Sequence, residues 1–559
     1  MKKYIAVLLP IFLCILTLLP LNSFFTPGLP VTHDGRDHVV RIASFYTSLQ
    51  EGTVIPRWAG NLNWGYGHPI LMFLYPFSSY SASLLHFIGF SLVDATKAVF
   101  MLGFIGSILS MYVWMQAVWG KRIGFIGALL YGFAPYRFVD LYVRGAIGEH
   151  MAFIFPPLIM YFLYILAKNR ILRFTYIKII GLSLSFAFFI LSHNAISLMF
   201  MPVFGLYFLY LFFSEADKSW KYICFCLVSI ALGFGLSSFF WIPAFFEGKY
   251  TLRDIVTAGE VMTRFVPFNW FLYSPWNYGG TGTLTKSVGF VQWIGICASC
   301  IFLLKLKDVS KKIFLATSLI LFVFSLFIMT SASEGIWSRL TILQNFQFPW
   351  RFLSITVFLA AVIGGISINR VIRFFEQKVH MKRKTYVLFM AFFVLLGVST
   401  YHMWHPSAYS LDSESSYKGI YPGTTDTGES SPIWSVRFME HTPSNPMEVI
   451  DGEALISLKD RTSTVHEYTI AAQKQTRVVE NTLYFPGWKI YVDGLSAGIQ
   501  FQDPQYRGLM TFWVDEGEHD VKVIFTDTKI RYWANRISTV SLGCVIALGI
   551  IVLICKRKK

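Results

Sequence analysis

The sequence predicts a polytopic α-helical membrane protein of about twelve transmembrane helices, carrying a C-terminal extracytoplasmic β-sandwich domain. Three observations predict it. Only 14% of the 559 residues are charged while 54% are hydrophobic, against about a quarter charged in soluble domains. Uncharged runs such as Ala6–Leu21, Ile313–Met329 and Val540–Ile554 recur from end to end, each near the ~20 residues that cross a bilayer core. Basic residues gather in short clusters between the runs, the pattern that keeps loops on the cytoplasmic side.

These clusters are Lys2-Lys3, Lys121-Arg122, Lys168/Arg170/Arg173, Lys218/Lys221, Lys305/Lys307/Lys311/Lys312, Arg370 to Lys384, and Lys556 to Lys559. With all of them placed in the cytoplasm, twelve spans result, near 5–22, 94–118, 123–141, 149–167, 174–192, 196–213, 221–243, 290–306, 313–330, 352–371, 385–402 and 535–555. Both termini are then cytoplasmic. The first run follows Lys2-Lys3 as a signal peptide would, yet no small-residue cleavage site follows it, so it reads as an uncleaved helix. Pro69–Phe90 is apolar enough to cross, but counting it would put the next basic clusters outside. With Pro69, Pro76 and His86 it reads as an interfacial or re-entrant segment, and a thirteenth span is the competing reading.

The domains expected are a transmembrane unit over 1–402 with an extracytoplasmic first loop at 22–93, a β-sandwich at 403–531, and a final helix with a basic tail at 532–559. Alternation at Trp488–Val492, a turn at Asp493-Gly494, a strand at Leu509–Val514, an acidic turn at Asp515–Asp520 and a strand at Val521–Phe525 support the β assignment. The formal net charge of +16 invites a nucleic-acid partner, but residues 402–530 carry 18 acids and 10 bases. The positive excess therefore belongs to the membrane loops, and no nucleic acid is implied. The seven cysteines lie in or beside apolar runs. Cys297 and Cys300 have redox or zinc spacing, but no second pair stands near to complete four ligands.

Polar residues gather in the loops assigned outside. The first loop holds His33, Asp34, Asp37 and His38, then Arg57 and Trp58. Such a set serves acid–base or metal chemistry, or it is a solvated loop with capping acids. Asp140, Arg144 and Glu149 crowd a later turn, and His193 occupies the next outer one. Arg144 could snorkel as interfacial arginines do, whereas acids gain less from that. Arg351 follows Phe348-Pro349-Trp350 at a membrane edge, placed either to hold a phosphate with its planar fork or to snorkel. The cytoplasmic loops carry no phosphate-binding glycine loop. Nor do the span centres carry the acids and broken repeats expected of an ion-coupled transporter.

Several of these segments carry a family resemblance. They are Thr32-His33-Asp34 with His38, Gly52 to Trp58, Gly65-Tyr66-Gly67, Ala134 to Arg137 leading into Asp140 to Ala146 and Glu149, and Phe348 to Phe352. In order and spacing they resemble the bacterial YfhO-like membrane proteins, also called 6-pyruvoyl-tetrahydropterin synthase-related. Phe485 to Lys489 with Val492-Asp493-Gly494 is similar to the β-domain of that family. The resemblance implies a GT-C-like fold and glycosyl transfer from a polyprenyl-phosphate sugar donor. The acceptor it implies is an extracytoplasmic cell-envelope glycopolymer such as lipoteichoic acid, and a separate donor synthase and flippase would serve the enzyme. Nothing in the chain resembles the histidine set of a soluble pterin synthase.

In that setting Asp34 is the expected base, with Asp37 and Glu149 as further catalytic carboxylates. Arg57, Arg144 and Arg351 are the expected phosphate clamps, Asp140 an acceptor-orienting or divalent-ion group, and His33, His38 and His193 ligands or orienting groups. Trp58 belongs to the same substrate-binding set. Two other classes stay open: a lipid or polysaccharide transporter, and a noncatalytic envelope-biogenesis scaffold.

Overall fold

A computed structural model describes residues 2–168, 175–378 and 382–557. Arg170 and Arg173 of one basic cluster and Lys558-Lys559 of the tail lie outside the described residues. Seven helices are long and apolar enough to cross a membrane: Leu92–Trp119, Ile147–Ala167, Thr175–Ser192, Asn194–Ser214, Val309–Phe327, Pro349–Glu376 and Lys529–Cys555. Trp220–Leu236 and Ser238–Phe246 form a further apolar pair bent by 69°. Leu9–Leu18, Phe290–Lys305 and Leu388–Met403 are shorter apolar helices at three other expected positions. The chain is a multi-pass membrane protein.

The helix over Pro349–Glu376 is buried along its whole apolar window, whereas that over Lys529–Cys555 is almost entirely exposed along its own. The first is therefore the hub of the bundle, packed against Lys121–Gly132, Phe290–Lys305 and Val309–Phe327. The second presents its side chains outward, as a helix facing lipid does.

The expected span at 123–141 is corrected. Its helix runs Lys121–Gly132 and stops, because Pro135 holds Ala134 in an extended conformation (ψ 140°). A short helix, Pro135–Phe138, passes into a π-helical turn at Val139–Arg144 that ends on Gly145. The segment is apolar enough to read as a span, yet it is a broken element buried inside the bundle. The Pro69–Phe90 segment consists of two short helices, Ile70–Phe73 and Phe77–Phe87, separated around Pro76. The second packs on the loop helix Gly35–Gln50 and on Leu92–Trp119.

Two segments far apart in sequence meet beyond the helix ends. Leu29–Pro30 (β1) pairs antiparallel with Tyr409–Ser410 (β2). Eight further strands follow: Met447–Asp451 (β3), Ala454–Arg461 (β4), Val465–Ala472 (β5), Thr476–Leu483 (β6), Trp488–Val492 (β7), Leu495–Ala497 (β8), Leu509–Val514 (β9) and Gly517–Phe525 (β10). They make two antiparallel sheets, ordered β4-β5-β10-β7-β8 and β3-β6-β9. Alternate residues of β5 (His466, Tyr468, Ile470 and Ala472) are buried, as one covered face requires. Their shared core includes Val478, Phe512 and Val523, and it takes in Trp58, Tyr66 and Met72 from the first loop. The acidic turn expected at Asp515–Asp520 is shorter, since β10 already begins at Gly517. Glu518 and Asp520 fall on its outward face, where charge is tolerated.

Candidate active site

The π-helical turn gives the site its shape. Gly145 sits at φ +67°, and a Cβ there would lie 2.2 Å from Thr32 Oγ1. Only glycine lets the first loop approach so closely. The loop is then tied down by two backbone bonds, His33 N–H to Val143 O and Asp34 N–H to Arg144 O, each 2.9 Å. Residues a hundred positions apart are thereby held together.

Arg144 is buried and donates through Nη1 to Asp140 Oδ1 (2.5 Å), Glu149 Oε2 (2.8 Å) and Tyr136 Oη (3.3 Å). Tyr136 in turn donates to Glu149 Oε1 (2.5 Å). Arg137, fully buried, donates to Ser107 Oγ at 2.8 Å and lies 4.0 Å from the Phe153 ring centroid. Two carboxylates thus face two guanidiniums. The balance is incomplete in its bonding: Asp140 Oδ2 and Arg137 Nε and Nη1 have no partner among the described residues.

Asp34 stands at the start of helix Gly35–Gln50, half-buried, and no side chain among the described residues hydrogen-bonds its carboxylate. Burial raises its pKa above the ordinary aspartate value, against the opposing pull of Arg144 and Arg41. His38, one turn on, accepts from Arg41 Nη1 at Nδ1 (3.1 Å). Burial and the Arg41 charge push its pKa well below the ordinary value, so the ring is neutral. Arg41 also holds Thr425, donating from Nε to Oγ1 at 2.9 Å and from Nη2 to the carbonyl.

A second group lies beside this one. Arg144 sits 4.5 Å over the Trp350 ring, and Trp350 stacks on Phe348 at 5.0 Å and 11°. Phe348 is flanked by Arg351 (5.2 Å) and Arg264 (5.7 Å). Arg351 donates from Nη1 to Phe346 O (2.9 Å) and Gln347 Oε1 (3.1 Å), and Gln347 passes the contact to Glu429 Oε2 (2.9 Å). Lys286 is buried, donates to three carbonyls at 3.1–3.2 Å and lies 4.8 Å from the Trp270 ring centroid. Burial and the Arg264 charge lower its pKa to about 8. Among the described residues Arg264, Arg351 and Lys286 form no ion pair, and the Nε atoms of both arginines are buried without a partner. Glu429, linked to Arg351 through Gln347, has its pKa raised by burial.

Of the residues expected from sequence, Asp34, His38, Asp140, Arg144, Glu149 and Arg351 come together. His193 joins them through Tyr75, whose ring stacks on it at 4.8 Å. Tyr75 itself lies over Gly148, where a Cβ would fall 1.9 Å from the ring. His33 is exposed, with Nε2 3.4 Å from Tyr278 O. Asp37 accepts from Tyr421 Oη at 2.8 Å, facing the segment after residue 402. Arg57 and Trp58 lie elsewhere. Arg57 binds Asp527 Oδ1 (2.8 Å) and Asn535 Oδ1 (2.7 Å), and Trp58 meets Trp488 edge-on in the β core. Sequence reading missed Arg264, Lys286 and Glu429, which lie in long loops and carry no local signal that sets them apart. No group of three His, Cys, Asp or Glu side chains among the described residues converges as a metal site. Asp140 and Glu149 instead face Arg144, so these residues do not fit a divalent ion.

Comparison with known proteins places the chain. A Lactococcus lactis subsp. cremoris (strain MG1363) protein, described only as uncharacterized, is 23% identical over 241 residues, which is 42% of this chain and 38% of that one. The mycobacterial arabinofuranosyltransferase AftD aligns at TM-score 0.42 and 12% identity, over 72% of this chain and 27% of that one. The archaeal oligosaccharyltransferase AglB from Archaeoglobus fulgidus, solved with an inhibitory peptide and a dolichol-phosphate, aligns at TM-score 0.41 and 15% identity, over 77% of this chain and 61% of that one. Each match spans less than two thirds of the other protein's length. The model of the 6-pyruvoyl-tetrahydropterin synthase-related domain, a membrane-protein family, matches residues 71–407, and the chain belongs to that family.

Proposed function

We propose that the chain is a membrane glycosyltransferase, transferring a sugar from a polyprenyl-phosphate-linked donor to an extracytoplasmic cell-envelope glycopolymer such as lipoteichoic acid. The observation that carries this reading is the pairing of a half-buried, unbonded carboxylate with an unneutralised group of cations. Asp34 has a raised pKa, which suits a general base. Half-buried Arg264 and Arg351 and buried Lys286 form no ion pair among the described residues, and cations withdrawn from water without counter-charge favour an anion. A lipid-linked phosphate at headgroup depth meets both features.

In the inverting form of the reaction, the acceptor hydroxyl attacks the anomeric carbon and its proton passes to Asp34. The bond from that carbon to the phosphate oxygen breaks, and polyprenyl phosphate leaves with the electron pair. Arg351, Arg264 and Lys286 stabilise the charge that develops on it. Asp140, Arg144 and Glu149 hold the turn to which the loop bearing Asp34 is bonded, and Tyr75 with His193 wall the sugar. An extracytoplasmic β-sandwich beside this site completes the reading.

The test uses purified full-length protein in detergent, supplied with polyprenyl-phosphate hexoses and envelope polymers, where sidedness and transport have no meaning. Radiolabelled sugar in the polymer, dependent on Asp34, is expected. No transfer across the donor and acceptor range would sink the reading in favour of a transporter or scaffold.

A further inference from the structure

Far from Asp34, at the other end of helix Gly35–Gln50, the first loop and the β4–β5 hairpin enclose a cavity of about 200 Å³. Its polar wall is organised from behind. Glu480 on β6 is completely buried, and its Oε1 accepts from His466 Nδ1 (2.9 Å), Arg461 Nη1 (3.2 Å) and Thr482 Oγ1 (2.9 Å). All three donors line the cavity. Burial opposes ionisation of Glu480, but His466 and Arg461 outweigh it and hold its pKa below the ordinary glutamate value. The bond to Nδ1 leaves His466 Nε2 as the free ring nitrogen, on a side chain that is 98% buried and faces the cavity. Trp58 and Tyr66 supply apolar wall on the first-loop side.

The chemistry differs from that at Phe348. Arg461 is neutralised by Glu480, and Lys418 at the rim is neutralised by Glu414 (2.8 Å). The cavity offers no surplus charge to an anion. It offers fixed hydrogen-bonding groups beside aromatic wall, which is how a polar, uncharged ring is recognised. Its rim includes Thr47, thirteen residues along the helix from Asp34, or about 20 Å at 1.5 Å per residue.

We propose that this cavity is a distal subsite for one neutral saccharide unit of the acceptor polymer, holding the chain while its end is processed at Asp34. The subsite rests on the transferase reading for its purpose but not for its chemistry. The wall residues bind the ring, and the helix sets the separation from the reacting end. Acceptors too short to reach from one to the other gain nothing from it.

Saturation-transfer NMR on the full-length protein in lipid nanodiscs tests it, with maltotetraose, cellotetraose, chitotetraose and a glycerol-phosphate oligomer as probes. At least one neutral tetrasaccharide is expected to bind, and His466→Gln to weaken it at least tenfold. Lys418→Trp, at an exposed rim position, should block the mouth without disturbing the core and decides the matter if His466→Gln does not fold. Asp34→Asn should bind the saccharide like wild type, which separates failure of this subsite from failure of the transferase reading. The subsite is overturned if no neutral tetrasaccharide binds, if only the glycerol-phosphate oligomer does, or if binding survives Lys418→Trp.

Discussion

Arg144 and Arg531 are both buried arginines paired to a glutamate, and their surroundings set them apart. Arg531 gives Nε to Glu247 Oε2 (2.8 Å), Nη2 to Pro486 O (2.6 Å) and Nη1 to Thr526 O (3.2 Å). The other oxygen of Glu247 accepts from Thr528 Oγ1 (2.5 Å). Every polar group there is used, and the effect is to bind the β sheets to the end of the bent helix pair and to the last helix. Around Arg144, two acids share one nitrogen, an Asp140 oxygen is left over, and the neighbouring Arg137 has two unmatched nitrogens. Buried polar groups are normally satisfied. Completeness marks the strut at Arg531, whereas the buried polar groups around Arg144 are not all matched among the described residues.

Substitutions separate the two arginine sites. The largest effect is expected at Asp34. Asp34→Asn should lower transfer by ~10²–10⁴, the usual loss on removing a general base, with expression and folding retained. Its raised pKa means that the ionised carboxyl costs the fold stability at neutral pH. The variant should therefore unfold no earlier than wild type in a thermal melt. An early melt would make Asp34 structural.

Glu247→Ala should do the reverse. It strands the buried Arg531 cation, a change that typically costs about 3–5 kcal/mol. The thermal midpoint in detergent should fall sharply, while transfer per folded molecule stays near wild type. Lost activity at an unchanged midpoint would move this pair from strut to site.

Arg351→Lys is expected to be smaller. Lysine keeps the charge but loses the planar fork, and one charge-assisted bond of ~1.5 kcal/mol corresponds to about tenfold in transfer. Full activity with lysine would reduce Arg351 to an anchor. Least dramatic is the pH profile. Asp34 must be ionised to act, so the acid limb of transfer should lie above the ordinary aspartate range and be absent from the residual activity of Asp34→Asn. A limb at the usual aspartate pH would contradict the burial assigned to that carboxyl.

Much of the helical framework was legible, because apolar length and basic clusters are local signals. The gathering of Asp34, Asp140, Arg144, Glu149 and Arg351 was legible only as polar residues in loops on one side. The break at Gly132 was hidden because, Arg137 apart, the segment stays largely apolar through Val139 while Pro135 and Gly145 redirect it. Arg57 and Trp58 sit in the same loop as Asp34, yet they face Asp527 and Trp488. Contacts across more than four hundred positions leave no periodic trace in a sequence. For the same reason Arg264, Lys286 and Glu429 could not be told from ordinary loop charges.

The packing of Trp58 against Trp488 and Phe525, whose rings also meet each other, sets a schedule for biosynthesis. A ribosome adds roughly 5–20 residues per second, so the loop bearing Trp58 emerges tens of seconds before its partners exist. Throughout that interval its aromatic residues have no core to enter. Nascent chains halted anywhere before β7 should therefore be the species that membrane quality-control proteases and holding chaperones recognise, however well their helices have inserted.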